Sequence, residues 1–500
     1  MHTDIAIIGT GFGGLGAAIR LKQDGIDDFV VLERSHEVGG TWRDNTYPGC
    51  ACDVESHLYS FSFALEPGWS YRFSRQQEIW RYLQRCAREF GIEPHIRFDH
   101  EVLAAGWDEG AARWRIETSR GPLTARVLVM ATGPLSETIV PDIPGLSSFE
   151  GRAFHSARWD HSCDLTGKRV AVIGTGASAI QFIPEIQPKV ARLYVFQRTP
   201  PWVVPRPDSP IPAWRRRLYR RVPVVQRMVR LLVYLYREWS VVLFRHPAAM
   251  RYFQHAAERH LKRSVPDPAL RAKLTPAYTI GCKRILLSND YYPAVTKPNV
   301  DVITAGVSEV RGRAIVDGSG VERQVDAIVF GTGFRPTDPP LATRVRGRGG
   351  RTMAETWQGS PKAYMGTTLA GFPNLFMLLG PNTGLGHNSV VYMTEAQIEH
   401  FIGALRYMRG RQVDAIEPTA EAQQRYVSSI DRRMQGTVWV SGGCRSWYLD
   451  ATGRNSTLWP DSSWSFYRRV SRFQPAQYQT IAANRRPADP LVGDRLVEPA

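Results

Sequence analysis

The stretch Asp4-Ile-Ala-Ile-Ile-Gly-Thr-Gly-Phe-Gly-Gly14 decides the fold, because it joins a short apolar strand directly to a glycine-rich turn. A helix is predicted over Leu15–Asp24, and a second strand, Phe29–Leu32, ends on Glu33. Strand, glycine turn, helix, strand and terminal acid in this order are typical of a βαβ unit that binds a dinucleotide. The turn would bring its backbone against a pyrophosphate at the helix N-terminus. The predicted contacts in the turn are Gly9, Gly11, Gly13 and Gly14.

The same pattern recurs in the middle of the chain. The strand Arg169–Ile173 leads into Gly174-Thr-Gly-Ala-Ser-Ala179, which is followed by a helix and by the strand Leu193–Phe196. Each unit also closes with a similar strand and turn, Val127–Gly133 in the first and Ala327–Gly333 in the second. The repetition predicts a second dinucleotide site built on the same plan.

The residue at the end of the second strand distinguishes the two sites. Glu33 lies 24 residues after Gly9, and the same offset from Gly174 falls on Arg198. A carboxylate accepts hydrogen bonds from a ribose diol and repels a 2′-phosphate, which suits FAD or NAD. A guanidinium pairs with a 2′-phosphate, which favours NADPH over the alternative of an Arg placed there by chance. The second site is predicted to use Gly174, Thr175, Gly176, Ala177, Ser178, Ala179, Gln197, Arg198 and Thr199.

The duplication predicts an α/β fold with two Rossmann-like dinucleotide-binding domains, for FAD first and NADP second, and a helical insert in the NADP domain. We expect the first part of the FAD domain over residues 1–140 and the NADP domain over 141–370, with the insert at about 213–275. Residues 371–500 would hold the second part of the FAD domain and, after Ala482, a loosely held tail.

Two further stretches narrow the chemistry. Gly39–Asp53 and Phe149–Asp160, the latter with the pattern Phe-x-Gly-x-x-x-His-x-x-x-Trp, resemble the two fingerprints of type I Baeyer–Villiger monooxygenases. The resemblance covers nearly the whole chain, and Asp160 stands where many members of that family have Pro. Its other matching segments are Gly281–Arg284, Gly380–Asn382 and Ser446–Tyr448.

The resemblance implies a specific reaction. NADPH would reduce FAD, O₂ would add to give a C4a-peroxyflavin, and its attack on a small ketone or aldehyde would yield an ester or lactone. Lys283 would assist Arg198, Arg284 would be the catalytic cation held by Asp53, and Trp447 would close over nicotinamide or substrate. Further contacts to FAD are implied at Gly40, Thr41, Trp42, Asp53, Val54, Tyr59 and Val102, and to NADPH at Arg284.

Physical chemistry agrees with this assignment of Arg284. The anions of the reaction form where water must be excluded, and an Arg stays charged there while a buried Lys can lose its proton. Asp53 would fix the guanidinium, with a simple turn or capping acid as the alternative. His155 is a structural histidine or, with Trp159, couples domain motion to nucleotide binding; we expect both residues in a linker away from the glycine turns.

Two other functions stay open at this point. A flavin N- or S-oxygenase acting on amines or sulfides would share the cofactor motifs, although Trp159 and Arg284 argue against it. A flavoprotein that only passes electrons to a partner is disfavoured, because Cys50 and Cys52 are separated by one residue and form no Cys-x-x-Cys pair. The sequence predicts no oligomeric state.

The composition is that of a globular enzyme of 500 residues with 43% hydrophobic residues. The formal charge of +16 is explained by a positive field that suits phosphate-rich cofactors and by basic residues spread over the surface. Binding of nucleic acid is disfavoured, because no nucleic-acid-binding motif occurs. The first strand starts by Asp4, which leaves no room for a signal, and no apolar run reaches spanning length, so a cytoplasmic location is expected. No metal-ligand spacing occurs, and all six cysteines are expected to be reduced thiols: Cys50, Cys52, Cys86, Cys163, Cys282 and Cys444.

The basic stretch Ala213–Phe244 is predicted to be helical and to interrupt the second nucleotide unit. Two interpretations apply: a peripheral membrane contact, or a helical subdomain that packs over the NADP domain and shapes the substrate entrance. The second is favoured because Arg230, Arg237 and Glu238 interrupt the apolar face.

Overall fold

A computed structural model describes residues 2–481 of the chain, so the tail predicted after Ala482 lies outside the described residues. Short apolar segments alternate with helices along most of this length. The strands are β1 (His2–Ile8), β2 (Phe29–Leu32), β3 (Ile96–Arg97), β4 (Val102–Asp108), β5 (Arg113–Thr118), β6 (Leu123–Met130), β7 (Arg152–His155), β8 (Arg169–Ile173), β9 (Arg192–Phe196), β10 (Val203–Val204), β11 (Leu286–Leu287), β12 (Val300–Ile303), β13 (Val307–Arg311), β14 (Ala314–Asp317), β15 (Glu322–Gln324), β16 (Ala327–Phe330), β17 (Val345–Arg346), β18 (Leu375–Met377), β19 (Ala415–Pro418) and β20 (Tyr478–Ile481).

Short 3₁₀ turns occur at Glu93–His95, Leu146–Ser148, Ser156–Arg158, Pro340–Thr343, Arg348–Gly350 and Pro475–Gln477. The α-helices are α1 (Phe12–Gln23), α2 (Thr41–Asp44), α3 (Gln76–Glu89), α4 (Ala179–Ile186), α5 (Ala213–Arg221), α6 (Pro223–Trp239), α7 (Val241–Arg245), α8 (Pro247–Ser264), α9 (Pro268–Leu274), α10 (Tyr291–Val295), α11 (Met353–Trp357), α12 (Val390–Arg411), α13 (Ala420–Met434), α14 (Val438–Ser441) and α15 (Ser463–Val470).

The first sheet has eight strands in the order β17-β4-β5-β6-β1-β2-β3, with β18 paired to β6. Ile5 of β1 is paired with Phe29 on one side and with Val127 on the other, both in parallel. All four residues of β2 are buried, as expected for a parallel strand that is covered on both faces. The chain rejoins this sheet at Val345, and the boundary at residue 370 stays a prediction.

The second sheet has five parallel strands in the order β12-β9-β8-β16-β7. Its central strands β8 and β16 carry the continuous apolar runs that the sequence showed, and all of β16 is buried. Each sheet therefore holds one of the two βαβ units. The prediction of an α/β fold with two Rossmann-like units is confirmed.

The insert consists of helices α5 to α9. Helix α8 contacts β10, α10 and α14, whereas α6 also binds residues near the first sheet. The sequence-based argument that charged residues interrupt the apolar face of the insert is wrong. Arg230, Arg237 and Glu238 point inward and make hydrogen bonds with the rest of the protein. The spacing of residues in the sequence shows which side chains share a face of a helix, but it does not show whether that face contacts the protein or the solvent. No helix within residues 2–481 combines the length and apolar character needed to cross a bilayer.

One prediction about cysteines is wrong. Cys282 and Cys444 form a disulfide, with their Cα atoms 6.2 Å apart. The two residues are separated by 162 positions in the chain, so their spacing gave no sign that folding brings them together. The free cysteines among the described residues are Cys50, Cys52, Cys86 and Cys163.

Candidate active site

The first glycine turn follows β1 and is held closely between the ends of β2 and β6. The amide of Gly9 donates to the carbonyl of Leu32 over 2.8 Å, and Gly9 adopts φ of 99°. A Cβ atom on Gly9 would lie 2.8 Å from the carbonyl oxygen of Ala131. Any side chain at this position would both strain the backbone and collide with the neighbouring strand.

The second glycine turn repeats this geometry. Gly174 donates to the carbonyl of Phe196 over 2.9 Å and adopts φ of 101°. A Cβ atom there would lie 2.4 Å from the carbonyl oxygen of Gly331. The two closing turns of the sequence repeat, at Ala131 and Gly331, thus press against the two glycine turns in the same way.

The helix N-termini behind both turns lack side-chain caps. Gly11 precedes α1 and Ser178 precedes α4, and neither provides a side-chain cap hydrogen bond. The first amides of a helix have no partner within the helix and carry the positive end of its dipole. Each helix therefore presents donors to an anionic group, as a bound pyrophosphate requires.

Glu33 is buried at the end of β2 and is held by its neighbours. Its carboxylate accepts hydrogen bonds from the amide and hydroxyl of Thr10, at 3.0 and 2.6 Å, and from the amide of Ser35 at 3.0 Å. Arg43 lies 3.0 Å from the same carboxylate. The acid is therefore oriented in the wall of the cleft next to the first glycine turn.

The first fingerprint packs against the same turn. Gly40 adopts φ of 51°, and a Cβ atom on it would lie 3.1 Å from the Cα of Gly11. Helix α2 then places Trp42, whose indole N–H donates to the hydroxyl of Tyr59 over 3.2 Å. The close approach of Gly40 to Gly11 forms a glycine-lined groove beside the N-terminus of α1.

Arg198 and Lys283 form a cationic pair in the second half of the cleft. Burial, and then the nearby charge of Arg198, lower the pKa of the Lys283 ammonium. Neither side chain takes part in any ion pair found within residues 2–481. Two adjacent cations without an acid between them fit an anionic group such as a 2′-phosphate.

Arg284 and Asp53 meet in the cleft. The guanidinium Nε donates to Oδ2 of Asp53 over 2.6 Å, and Nη2 lies 2.6 Å from the same oxygen. Burial is the largest single effect on the pKa of Asp53 and would raise it, but the charge and hydrogen bond of Arg284, together with the charge of Arg237, outweigh burial and the pKa is lowered. The Asp53 carboxylate in turn raises the pKa of Arg284 against the effect of burial. Both groups are therefore ionised, and the cation has a fixed position.

Trp447 lies at the edge of the cleft with 44% of its surface exposed. Its ring centroid is 4.5 Å from that of the buried Tyr448. Burial raises the pKa of Tyr448 to about 12 against the opposing charge of Arg284, so the phenol stays neutral near the Arg284–Asp53 pair. The disulfide at Cys444 ties this segment to the residue that precedes Lys283.

One continuous cleft with a volume of about 1160 Å³ joins these features. Every residue predicted for the site lines it except Gly14 and Ala179. A Cβ atom on Gly14 would lie 1.8 Å from the carbonyl oxygen of Gly9, so this glycine permits close packing of the helix on the strand. Ala179 packs against Gly331 at the equivalent position of the second unit.

His155 and Trp159 do not lie in a free linker. His155 ends β7 within the second sheet, and burial lowers the pKa of its imidazole to about 4. Its Nδ1 accepts a hydrogen bond from the amide of Ala157 over 3.1 Å. Trp159 packs on Phe182 of α4, with ring centroids 5.3 Å apart. The expectation that His155 lies in a linker is therefore wrong, because β7 adds an edge strand to the sheet.

Gln181 is a cleft residue that the sequence did not reveal. Its side-chain oxygen accepts hydrogen bonds from the Tyr47 hydroxyl at 3.0 Å and from the Ala51 amide at 3.3 Å. Its amide nitrogen donates to the Ala51 carbonyl at 3.0 Å. Gly49 also approaches this helix, since a Cβ atom on it would lie 2.7 Å from the Gln181 carbonyl oxygen. The first fingerprint is thus bound to the helix of the second nucleotide unit.

Comparison with known proteins agrees with this geometry. Residues 6–222 match the family described as pyridine nucleotide-disulphide oxidoreductase. A Baeyer–Villiger monooxygenase of Streptomyces coelicolor is 54% identical over 99% of this chain and 95% of its own length. One of Pseudomonas aeruginosa is 50% identical over 95% of this chain and 91% of its own.

A solved structure agrees as well. The crystal structure of OTEMO in complex with FAD and NADP superposes with a TM-score of 0.85 at 28% identity, over 96% of this chain and 99% of that one. The glycine turns, Glu33 and the Arg198–Lys283 pair fit these two cofactors, and the predictions of FAD and NADP(H) are confirmed. The comparisons support the Baeyer–Villiger prediction and not the N- or S-oxygenase alternative. The chain belongs to the FAD- and NADP-dependent Baeyer–Villiger monooxygenases.

Proposed function

We propose that this chain uses NADPH and O₂ to insert one oxygen atom next to the carbonyl of a small ketone or aldehyde. One observation carries the proposal: the fixed Arg284–Asp53 ion pair lies in the cleft that both glycine turns line. A ketone, O₂, NADPH and a proton give an ester or lactone, water and NADP⁺. One oxygen atom enters the product and the other leaves as water.

The cofactor-binding residues divide along the cleft. The Gly9–Gly14 turn and Glu33 hold the pyrophosphate and ribose of FAD, with Trp42, Val54, Tyr59 and Val102 along its remaining length. The turn at Gly174 holds the pyrophosphate of NADPH, and Arg198 and Lys283 bind its 2′-phosphate, with Thr199 beside them. With both cofactors bound, the flavin supplies the electrons that activate O₂.

Arg284 stabilises the negative charge that develops at the substrate carbonyl. Its guanidinium is not a proton donor at neutral pH, because Asp53 raises its already high pKa. It therefore acts through its charge and its N–H groups, which are held before the reaction begins. Asp53 is a positioning residue, since one oxygen of its carboxylate holds both Nε and Nη2 of Arg284 and so fixes the plane of the guanidinium.

Trp447 is the residue best placed to cover nicotinamide or substrate. It is exposed at the rim and belongs to a segment that the disulfide attaches next to Lys283 and Arg284. We also propose a cytoplasmic location for the enzyme.

Turnover under ¹⁸O₂ tests the proposed reaction. A panel of linear and cyclic ketones and aldehydes, incubated with enzyme and NADPH, is expected to give esters or lactones that carry one ¹⁸O atom. Amines and sulfides of similar size serve as the comparison in the same assay. N-oxide or sulfoxide formation without any ester would contradict the proposal and support the flavin N- or S-oxygenase.

A further inference from the structure

Helix α6 of the insert turns its polar side chains toward the protein. Nη1 of Arg230 donates to the Leu58 carbonyl at 3.2 Å, and the buried Gln226 donates to the Glu66 carbonyl at 2.7 Å. Arg230 Nη1 also donates to the carbonyls of His57 at 2.8 Å and Ser60 at 3.1 Å. One face of the helix is therefore fixed to the protein by hydrogen bonds to backbone carbonyls.

The end of the same face is held by ion pairs and amide contacts. Arg237 donates to the carboxylate of Glu55 over 2.8 Å, and Glu238 accepts from the amide of Asn388 over 2.8 Å. Glu238 also accepts a hydrogen bond from the hydroxyl of Ser463. Arg230, Arg237 and Glu238 thus have partners inside the protein, and these contacts fix the orientation of the helix.

The opposite face of α6 is apolar and exposed. Its exposed side chains recur every three or four residues, which places them in one stripe along the helix. Their exposed fractions range from 47% at Leu231 to 68% at Trp239. The members of this outer stripe are Val224, Met228, Leu231, Leu232, Leu235, Tyr236 and Trp239.

The apolar surface continues beyond this helix at both ends. Trp214 on α5 and Val242 on α7 are exposed by 59% and 46%. Trp464 is 54% exposed, and its amide approaches Glu238 at 3.4 Å, which places it beside the end of α6. An apolar surface of this extent on a folded protein marks a site of interaction.

The charge of the insert indicates what this surface binds. Residues 213–264 contain thirteen Lys and Arg against two Glu, so this stretch has a net charge of +11, compared with +16 for the whole chain. Arg215, Arg217, Arg220, Arg221 and Arg227 are exposed next to the outer stripe. Leucines and tryptophans flanked by arginines are the composition of helices that lie in a membrane interface.

We propose that the outer stripe of α6, with Trp214 and Trp464, docks the enzyme onto a membrane surface that carries anionic phospholipids. The apolar side chains would enter the boundary between headgroups and acyl chains, and the arginines would bind phosphates. A second copy of this chain fits less well, because pairing through this face would bring two clusters of arginines together. The proposal concerns location and goes beyond the reaction proposed above.

The position of α6 connects the proposed membrane contact to the active-site cleft. Asn388, which binds Glu238 on the inner face of α6, lines the active-site cleft. The same helix therefore contacts the cleft wall with one face and would contact the bilayer with the other. This arrangement places the cleft next to a phase in which apolar carbonyl compounds dissolve.

Vesicle flotation with the full-length holoenzyme tests the proposal. Vesicles of phosphatidylcholine with one third phosphatidylglycerol are expected to carry the protein upward at about 0.15 M salt, whereas pure phosphatidylcholine should carry little of it. Leu232→Gln combined with Leu235→Gln should lower the partition coefficient at least about tenfold. Arg217→Gln combined with Arg221→Gln should reduce the difference between the two kinds of vesicle.

A matched control separates the stripe from general surface apolarity. Leu103→Gln combined with Val321→Gln removes two other exposed apolar side chains and should leave vesicle binding unchanged. FAD absorbance and circular dichroism should be the same for all variants, since every changed residue is on the surface. The proposal is overturned if the unchanged protein does not float with anionic vesicles, or if the Leu232–Leu235 variant floats equally well.

Sedimentation velocity identifies the alternative occupant. A dimer that becomes a monomer in the Leu232–Leu235 variant, together with no binding to vesicles, would show that the stripe joins two copies of this chain. That result would also overturn the membrane proposal. Ketone oxidation in vesicle-free buffer is expected to be equal for wild type and variant, which keeps this test independent of the proposed reaction.

Discussion

Arg284 and Asp53 are 231 positions apart in the chain, yet they form the contact on which the proposed chemistry depends. A guanidinium alone in a cleft would adopt several rotamers and stay hydrated. The carboxylate of Asp53 removes that freedom. Because the two charges stabilise each other, the pKa of Asp53 is lowered and that of Arg284 is raised. A positive charge fixed in advance stabilises a developing anion without the cost of reorganisation.

Replacing Arg284 with Ala should separate reduction from oxygenation. Hydride transfer depends on the position of nicotinamide, so flavin reduction by NADPH should be nearly normal in stopped-flow measurements. Ester formation should fall a few hundredfold, the effect of losing about 3–4 kcal/mol of charge stabilisation, and hydrogen peroxide should appear instead. Arg284→Lys should rescue only part of the yield, because an ammonium cannot keep the two-pronged contact with Asp53. A normal ester yield in Arg284→Ala would exclude this residue as the catalytic cation.

Arg198 should determine the preference for NADPH over NADH. Arg198→Ala is expected to raise the KM for NADPH by about ten- to a hundredfold, because one or two charge-assisted contacts to the 2′-phosphate are lost. The KM for NADH should change little. Arg192→Ala is the matched control, since Arg192 begins the strand β9 that Arg198 follows but pairs with Asp301 outside the cleft. Equal effects of Arg198→Ala on the two nucleotides would contradict the assignment.

The two βαβ units could be predicted from sequence because their geometry is local. A glycine such as Gly9 or Gly174 is required wherever a strand turns sharply against its neighbour, and an acid or an Arg at a fixed offset follows from the length of one unit. The resemblance to a family then located Arg284, Asp53 and Trp447, which no local spacing would connect.

Features that depend on the packing of distant segments could not be predicted. One such feature is the disulfide between Cys282 and Cys444. Another is the outer stripe of α6, which is apolar and faces away from the protein, whereas the sequence suggested that charged residues interrupt the apolar face. For α6, the sequence showed the helical periodicity of the apolar residues but not which face of the helix contacts the protein. That orientation depends on backbone carbonyls, such as that of Leu58, which accept hydrogen bonds from Arg230. Sequence patterning assumes that apolar faces turn inward, and this helix does not follow that rule.

The disulfide should hold the segment that carries Trp447 in place. Cys444→Ser, or reduction by a dithiol, is expected to raise the KM for NADPH about fivefold, which corresponds to about 1 kcal/mol of lost positioning. Cys163→Ser is the control, because Cys163 is a free cysteine. Thiol titration of the denatured protein should show two more thiols after reduction. An unchanged KM together with those two thiols would show that the bond does not position the segment.

The two halves of the protein are joined directly at the cleft. Gln181 lies on the helix of the second nucleotide unit, and its side chain is bound on both sides to the first fingerprint through Tyr47 and Ala51. The hydroxyl of Thr46 in the first fingerprint also lies 2.8 Å from Nε2 of His161, the residue directly after the second fingerprint. We therefore expect the relative position of flavin and nicotinamide to depend on contacts between the first fingerprint and the second nucleotide unit.

Gln181→Ala should slow the reduction of FAD without releasing it. The change removes three hydrogen bonds between the halves, and a misplacement of two reacting groups by about 1 Å can cost up to about a hundredfold in rate. Gln187→Ala is the matched control, because Gln187 follows the same helix but bonds to Asn299 within the second half. Both variants should lower the Tm, since each loses a partly buried amide contact. Only Gln181→Ala should lower the stopped-flow rate of reduction at saturating NADPH. Equal rates in the two variants would mean that the halves keep their alignment without Gln181, and that the remaining contacts alone set the distance between the cofactors.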